Sequence, residues 1–194
     1  MSTIAAVRGL ANTSGAFRWK LVNVARALQM NPDHLAAIIS FESAGSFSPS
    51  KRNAAGSGAT GLIQFMPSTA EGLGTTTEAL AAMSAEDQLD YVFAYLNSFV
   101  GHLGTLQDAY LAVFTPSGMG KGPDHVLYSS PSKAYEQNKG LDVNGAGVIT
   151  NRDAARAVER VLQGAANVPR LEVPDDPPLP CPRDRDTQPD SGAQ

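Results

Sequence analysis

The stretch Asn31-Pro32-Asp33-His34-Leu35-Ala36-Ala37-Ile38-Ile39-Ser40-Phe41-Glu42-Ser43-Ala44-Gly45 decides the class of this chain. Asn31 is a good N-cap, because its side-chain oxygen can accept an amide hydrogen that a first helical turn leaves unpaired. Pro32 suits the first helical position, where no amide donor is needed. Leu35, Ile38, Ile39 and Glu42 recur at i, i+3, i+4 and i+7, on one helical face, and Gly45 ends the helix. Glu42 breaks the rule of that stripe. A carboxyl beside Ile38 and Ile39 at a helix C-terminus meets desolvation and the negative end of the helix dipole, and both favour the neutral acid. A neutral carboxyl near pH 7 is what a general acid needs to protonate a leaving oxygen, as in glycosidic bond cleavage. Periodicity leaves a second reading open, in which Glu42 lies at the rim of the stripe and reaches solvent.

Working outward, Phe17, Leu21, Val24, Ala25 and Leu28 follow the caps Thr13 and Ser14 at helical spacing and predict a helix over 15–29. Ser84 with Asp87 is a capping box before Leu89, Val92, Phe93, Leu96 and Val100. Thr105 with Asp108 repeats it before Leu106, Tyr110, Val113 and Phe114. Thr150 with Asp153 repeats it again before Ala154, Ala157, Val158, Val161 and Leu162, with Gly164 as the stop. Residues 46–66 lack a period and are rich in Ser, Gly and Asn, which predicts a long structured loop, and Pro67 opens a short helix over 67–73. Strand signals are weak and no repeat is present. The expectation is an all-α, irregular helical domain over residues 1–167, with Tyr91, Phe93, Tyr95 and Phe99 in its core.

A chain of 194 residues, 42% apolar and 18% charged, holds one domain plus appendages. Apolar runs reach at most six residues, too short to cross a bilayer, so no membrane insertion is expected. Arg8, Arg18, Lys20 and Arg26 interrupt the start of the chain, unlike a secretory signal. Cys181 is the single cysteine, which excludes an internal disulfide and a paired thiolate site. Residues 168–194 hold seven of the 13 prolines and three Arg against six acids, predicting an extended or disordered tail. The 12 basic and 13 acidic residues that remain are balanced, with no footprint for a nucleic acid.

Asp142, Asn144, Gly147 and Asp153 imitate positions 1, 3, 6 and 12 of an EF-hand loop, but Ala146 fails position 5 and Asp153 is already a capping partner. The loop therefore reads as structural, and no metal is assigned. His34, His102 and His125 have no second histidine or cysteine nearby, and Gly118-Met119-Gly120-Lys121-Gly122 reads as a turn.

The segment Phe41-Glu42-Ser43-Ala44-Gly45-Ser46-Phe47, followed by Gly58-Ala59-Thr60-Gly61-Leu62-Ile63-Gln64-Phe65-Met66-Pro67-Ser68-Thr69-Ala70, resembles the soluble lytic transglycosylase family of the lysozyme-like superfamily. That family carries a Glu-Ser pair and then a GLMQ-x-MP-x-TA segment; here Ile63 replaces its Met. The resemblance covers roughly residues 30–75. It implies a lysozyme-like α fold with a long active-site loop, needing no cofactor, that cleaves the β-1,4 bond between N-acetylmuramic acid and N-acetylglucosamine in peptidoglycan. It implies Glu42 as catalytic acid, Ser43 as the motif serine, Gln64 and Met66 along the glycan cleft, and Asn53 near the polar residue of the intervening loop. The family's later AYNAG tyrosine faces the catalytic Glu. The counterpart here, Ala109-Tyr110-Leu111-Ala112-Val113-Phe114-Thr115-Pro116-Ser117, puts Phe114 in its place and lacks the Asn. Either another phenol, Tyr110 or Tyr128, takes its part, or activity is reduced.

A conventional glycosidase uses two carboxylates. No Asp or Glu lies between Glu42 and Glu71, which favours a single acid that first protonates the glycosidic oxygen and then takes the 6-hydroxyl proton as a 1,6-anhydro ring closes. A hydrolase stays open if Asp87, Asp90, Asp108 or Asp124 folds into the cleft, as does a non-catalytic glycan-binding or assembly protein. The expected partner is the peptidoglycan strand, met by a monomer at the wall layer. The lack of a leader or anchor fits a phage, prophage or injection-machine component.

Overall fold

The computed structural model describes residues 2–54 and 56–175. Strand β1 (Ser2–Ile4) leads through a 3-10 turn into α1 (Gly15–Ala27), which Ser14 caps by accepting the Phe17 amide at 2.9 Å. Asn31 caps α2 (Pro32–Glu42) by accepting the Asp33 amide at 2.9 Å. After the long loop come α3 (Pro67–Gly72) and α4 (Thr77–Ala82), then α5 (Ala85–Leu96) capped by Ser84 and α6 (Leu106–Phe114) capped by Thr105. Strand β2 (Val126–Ser129), α7 (Lys133–Asn138), β3 (Val148–Thr150), α8 (Asn151–Gly164) and β4 (Leu171–Val173) complete the described residues. Thr150 and Asp153 form a full capping box at the start of α8.

Helix α2 is the centre of the packing. Helices α1, α6 and α8 all pack on it, and Leu35, Ala36, Ala37, Ile38, Ile39 and Ser40 have no exposed surface. A helix apolar on most sides belongs inside, so α2 is enclosed more completely than a one-faced stripe would be. Burying each of Phe17, Leu21, Leu35, Ile38 and Ile39 contributes about 2 kcal/mol against an exposed position, which makes α2 the rigid element on which Glu42 is mounted. Tyr91, Phe93, Tyr95 and Phe99 pack against this core.

The all-α expectation holds, with two antiparallel two-stranded ribbons added among the described residues. In one, Ser2, Thr3 and Ile4 pair with Val173, Glu172 and Leu171. The predicted tail beginning at Val168 is therefore structural over its first residues: Val173 is buried, and Arg170 donates to both Asp33 carboxylate oxygens at 2.9 Å. Long-range pairing overrides the proline-rich composition here; residues 176–194 lie outside those described. Helices α4 and α7 are also additions, opened by Thr76 and Ser132 as caps. The EF-hand-like stretch forms the turn into β3. Its Asp142 carboxylate accepts from the Tyr135 hydroxyl at 2.7 Å and from the Ala146 and Gly147 amides at 2.9 and 2.8 Å.

Candidate active site

Glu42 is the last residue of α2, and the chain turns sharply after it: Ala44 and Gly45 adopt φ of 54° and 79°, and the Gly45 amide donates to Ser40 O at 2.7 Å. Gly9 packs against this turn so closely that a Cβ there would lie 1.8 Å from Gly45 O, a contact only glycine permits. Ser40 Oγ donates to Arg8 O at 2.7 Å. The N-terminal segment thus clamps the end of α2 and fixes where the carboxyl points.

That carboxyl faces a cleft of about 510 Å3, walled by Phe41, Ile63, Tyr110, Val113 and Phe114 and edged by the polar side chains of Asn53, Ser57, Gln64, Gln137 and Asn138. Burial among these apolar side chains raises the Glu42 carboxyl to about 7, and a hydrogen bond from the Tyr110 hydroxyl opposes part of that rise. Burial, the facing Glu42 carboxylate and Tyr128 together push the Tyr110 phenol well above its usual range, so it stays a donor. Phe41 meets Tyr110 edge-on at 5.7 Å, Phe114 stacks on Tyr110 at 5.7 Å with the rings within 6° of parallel, and Tyr128 meets Phe114 edge-on at 6.2 Å. These four rings make one continuous aromatic wall.

Among the described residues Glu42 is the one carboxylate that lines the cleft. Asp87 accepts from Ser84 at the start of α5, Asp90 pairs with Lys20 at 2.8 Å, Asp108 accepts from Thr105 and the Gly120 amide, and Asp124 pairs with Arg152 at 2.8 Å. Each is engaged elsewhere.

The loop of residues 46–66 is shaped from α5. Gln88 is fully buried; its amide oxygen accepts from the Leu62 amide at 2.7 Å, and its nitrogen donates to Leu80 O at 2.8 Å and Pro49 O at 3.1 Å. Gly61, at φ 86°, passes so near that a Cβ would stand 2.2 Å from the Gln88 oxygen. Gln64 sits at φ 55° and donates through its amide nitrogen to Lys51 O and Gly61 O, which leaves its oxygen for a ligand.

Residues 23–115, from within α1 to the end of α6, match the family profile described as the transglycosylase SLT domain. This part of the chain belongs to that family. Members of the SLT family are lytic transglycosylases, and the domain is of a peptidoglycan-cleaving type with a lysozyme-like fold. No curated protein matches the chain.

Within the SLT domain, Glu42, Asn53, Gln64, Met66, Tyr110 and Phe114 meet at the cleft. Met66 is 44% exposed there. Tyr128 extends the aromatic wall through its edge-on contact with Phe114 and does not itself line the cleft. Ser43, the motif serine expected among the substrate-binding residues, needs correction: it is fully buried, donates to Ile39 O at 2.7 Å and accepts from the Phe47 amide at 3.0 Å, so it serves the helix end and cannot reach a ligand. Sequence reasoning missed Gln88 and also Gln137, Asn138 and Leu141, which α7 and the 3-10 turn after it bring to the cleft from beyond the SLT match. The Ser132 cap was the readable signal for α7, but nothing local says that it covers a cleft.

Proposed function

We propose that the cleft binds a peptidoglycan glycan strand and cleaves the β-1,4 bond between N-acetylmuramic acid and N-acetylglucosamine, leaving a 1,6-anhydromuramic acid end. The observation that carries this reading is Glu42: a single cleft carboxyl, raised to about 7 by burial. In its neutral form it donates its proton to the glycosidic oxygen as the C1–O bond breaks and positive charge develops at C1. The resulting carboxylate takes the proton of the muramic acid 6-hydroxyl, whose oxygen closes on C1. Glu42 ends protonated, as it began, and no water is consumed. A retaining hydrolase would need a second carboxyl about 5 Å away, and an inverting one a second at roughly 6.5–9.5 Å. Among the described residues lining the cleft there is none, which favours the lytic route.

The other residues have parts consistent with their placement. Tyr110 holds the carboxyl by donating to it and limits the rise that burial causes. The oxygen of Gln64 and the side chain of Asn53 face the region where polar sugar substituents would lie, while Met66 and Phe114 offer apolar surface to a sugar ring.

The test is analysis of muropeptides released from purified peptidoglycan. Wild-type protein is expected to yield 1,6-anhydromuramic ends and Glu42→Gln none, with the variant still folded by circular dichroism. Reducing ends would make the protein a hydrolase. No product from wild type would leave a glycan-binding protein.

A further inference from the structure

The polar rim of the cleft has two sources, and only one of them lies in the SLT match. The loop of residues 46–66 supplies Asn53, Ser57 and Gln64, whereas Gln137 and Asn138 come from α7, beyond the match, followed by Gly140 and Leu141 of the 3-10 turn Lys139–Leu141. Helix α7 packs on β2 and β3, and its Tyr135 is buried. One carboxylate ties this arm together. Asp142, the residue after the 3-10 turn, accepts from the Tyr135 hydroxyl at 2.7 Å and the Gly147 amide at 2.8 Å through one oxygen, and from the Ala146 amide at 2.9 Å through the other. The Tyr135 hydroxyl and these amides hold its carboxyl below the usual range, so the bonds are charge-assisted. The Gly147 carbonyl accepts in turn from the Ser130 amide at 2.8 Å, which joins the arm to the end of β2. The turn that reaches the cleft is therefore pinned both by the helix before it and by the segment after it.

The carboxamides of the arm keep bonding capacity in reserve. Asn138 spends its amide nitrogen on Ala134 O at 2.9 Å, which leaves its oxygen as an acceptor. Gln137 has no hydrogen-bond partner among the described residues. Glu136 and Lys139 pair with each other at 3.8 Å, and neither lines the cleft. Apart from Glu42, no charged side chain among the described residues lines it. The arm thus offers neutral carboxamides, which match the hydroxyl and acetamido groups of an uncharged sugar ring. We propose that residues 133–147 form a substrate-binding arm added to the SLT domain, in which Gln137 and Asn138 hydrogen-bond the sugar held in the cleft and Asp142 is the positioning residue that sets their place. The proposal deepens the reading of the cleft as a glycan site and rests on it. Affinity for the strand is then set in part outside the family match, while the chemistry stays with Glu42.

The experiment uses the full chain, wild type and the variants Gln137→Ala, Asn138→Ala, Asp142→Ala and Asp142→Asn. Cleavage of purified glycan strands gives KM and kcat, and calorimetry with the same strands gives Kd for each variant carrying Glu42→Gln as well, so that no strand is consumed. Thermal unfolding checks the fold. Gln137→Ala and Asn138→Ala are each expected to raise KM and Kd about fivefold, roughly one neutral hydrogen bond, with kcat unchanged. Asp142→Ala is expected to raise both by about 25-fold, as loss of the two together would. Asp142→Asn keeps one acceptor oxygen and is expected to recover part of that loss. Unchanged KM and Kd in the Gln137 and Asn138 variants would overturn the proposal and leave the cleavage reading standing. So would an Asp142→Ala protein that unfolds at lower temperature yet binds strands as wild type does, because Asp142 would then be structural only. A fall in kcat at constant KM would also overturn it, moving the arm from binding to chemistry. Should Asp142→Ala fail to fold, the Gln137 and Asn138 variants decide. Strand binding that weakens in the arm variants, in a wild type that cleaves nothing, would uphold the arm and sink the catalytic reading.

Discussion

The Tyr110 hydroxyl donates a hydrogen bond to the Glu42 carboxylate, bridging α6 and α2. One helical turn further along α6, where the family resemblance expects its tyrosine, Phe114 stacks on Tyr110 and supplies only a ring. Positions i and i+4 share a helical face, so a phenol can move by one turn and still meet the same carboxyl.

Removing that hydroxyl leaves burial unopposed. In Tyr110→Phe the Glu42 carboxyl is expected to rise above about 7, and the alkaline limb of the kcat/KM profile is expected to move up with it. The carboxyl also loses its positioning contact, so kcat is expected to fall roughly 10- to 100-fold. A pH–rate profile of both proteins on purified peptidoglycan checks this; an unmoved alkaline limb would show that Tyr110 does not tune Glu42.

Glu42 is expected to weaken the fold as pH rises. Its folded pKa of about 7 exceeds the ordinary value of 4.5, so between these pH values the unfolded chain has released a proton that the folded protein still holds. Stability therefore drops through that window and levels off above it, by up to about 3 kcal/mol at 1.36 kcal/mol per pKa unit. Glu42→Gln is expected to remove the drop. Urea unfolding at pH 5 and pH 8 measures it, the variant gaining on wild type only at the higher pH.

Gln88 braces the active-site loop from a distance. Gln88→Leu keeps the volume but strands the Leu62 amide and the Pro49 and Leu80 carbonyls without their partner, at an expected cost of roughly 2–4 kcal/mol. The loop carrying Gln64 loosens with it, so activity is expected to fall even at temperatures where the variant stays folded. Thermal unfolding and turnover, measured side by side, separate the two effects.

Gly9 and Gly74 both have positive φ, at 88° and 73°, but differ in surroundings. Gly74→Ala meets open space and is expected to cost only about 1 kcal/mol of backbone strain. Gly9→Ala must push the Gly45 carbonyl away and is expected to cost several kcal/mol while displacing the end of α2. Comparison of the two by chemical denaturation tests the clamp; equal costs would refute it.

What the sequence by itself determined is what local chemistry controls. Caps at Ser14, Asn31, Ser84, Thr105 and Thr150, each followed by apolar residues at helical spacing, mark helices whose starts depend only on neighbouring residues. The Glu42 anomaly and the GLIQFMPSTA segment stood in the same short windows. Tertiary structure alone decided which phenol meets Glu42, because the sequence offers both Tyr110 and Tyr128 and only the packing of α6 on α2 sets Tyr110 against the carboxyl. It also removed Ser43 from the site by burying its hydroxyl, and it recruited Gln88 across 26 residues to Leu62. The ends of the described chain met in the same way, Arg170 reaching Thr3 across 167 residues. These contacts join segments whose separation leaves no periodic trace, and their formation depends on how α2 is enclosed rather than on any neighbour in sequence.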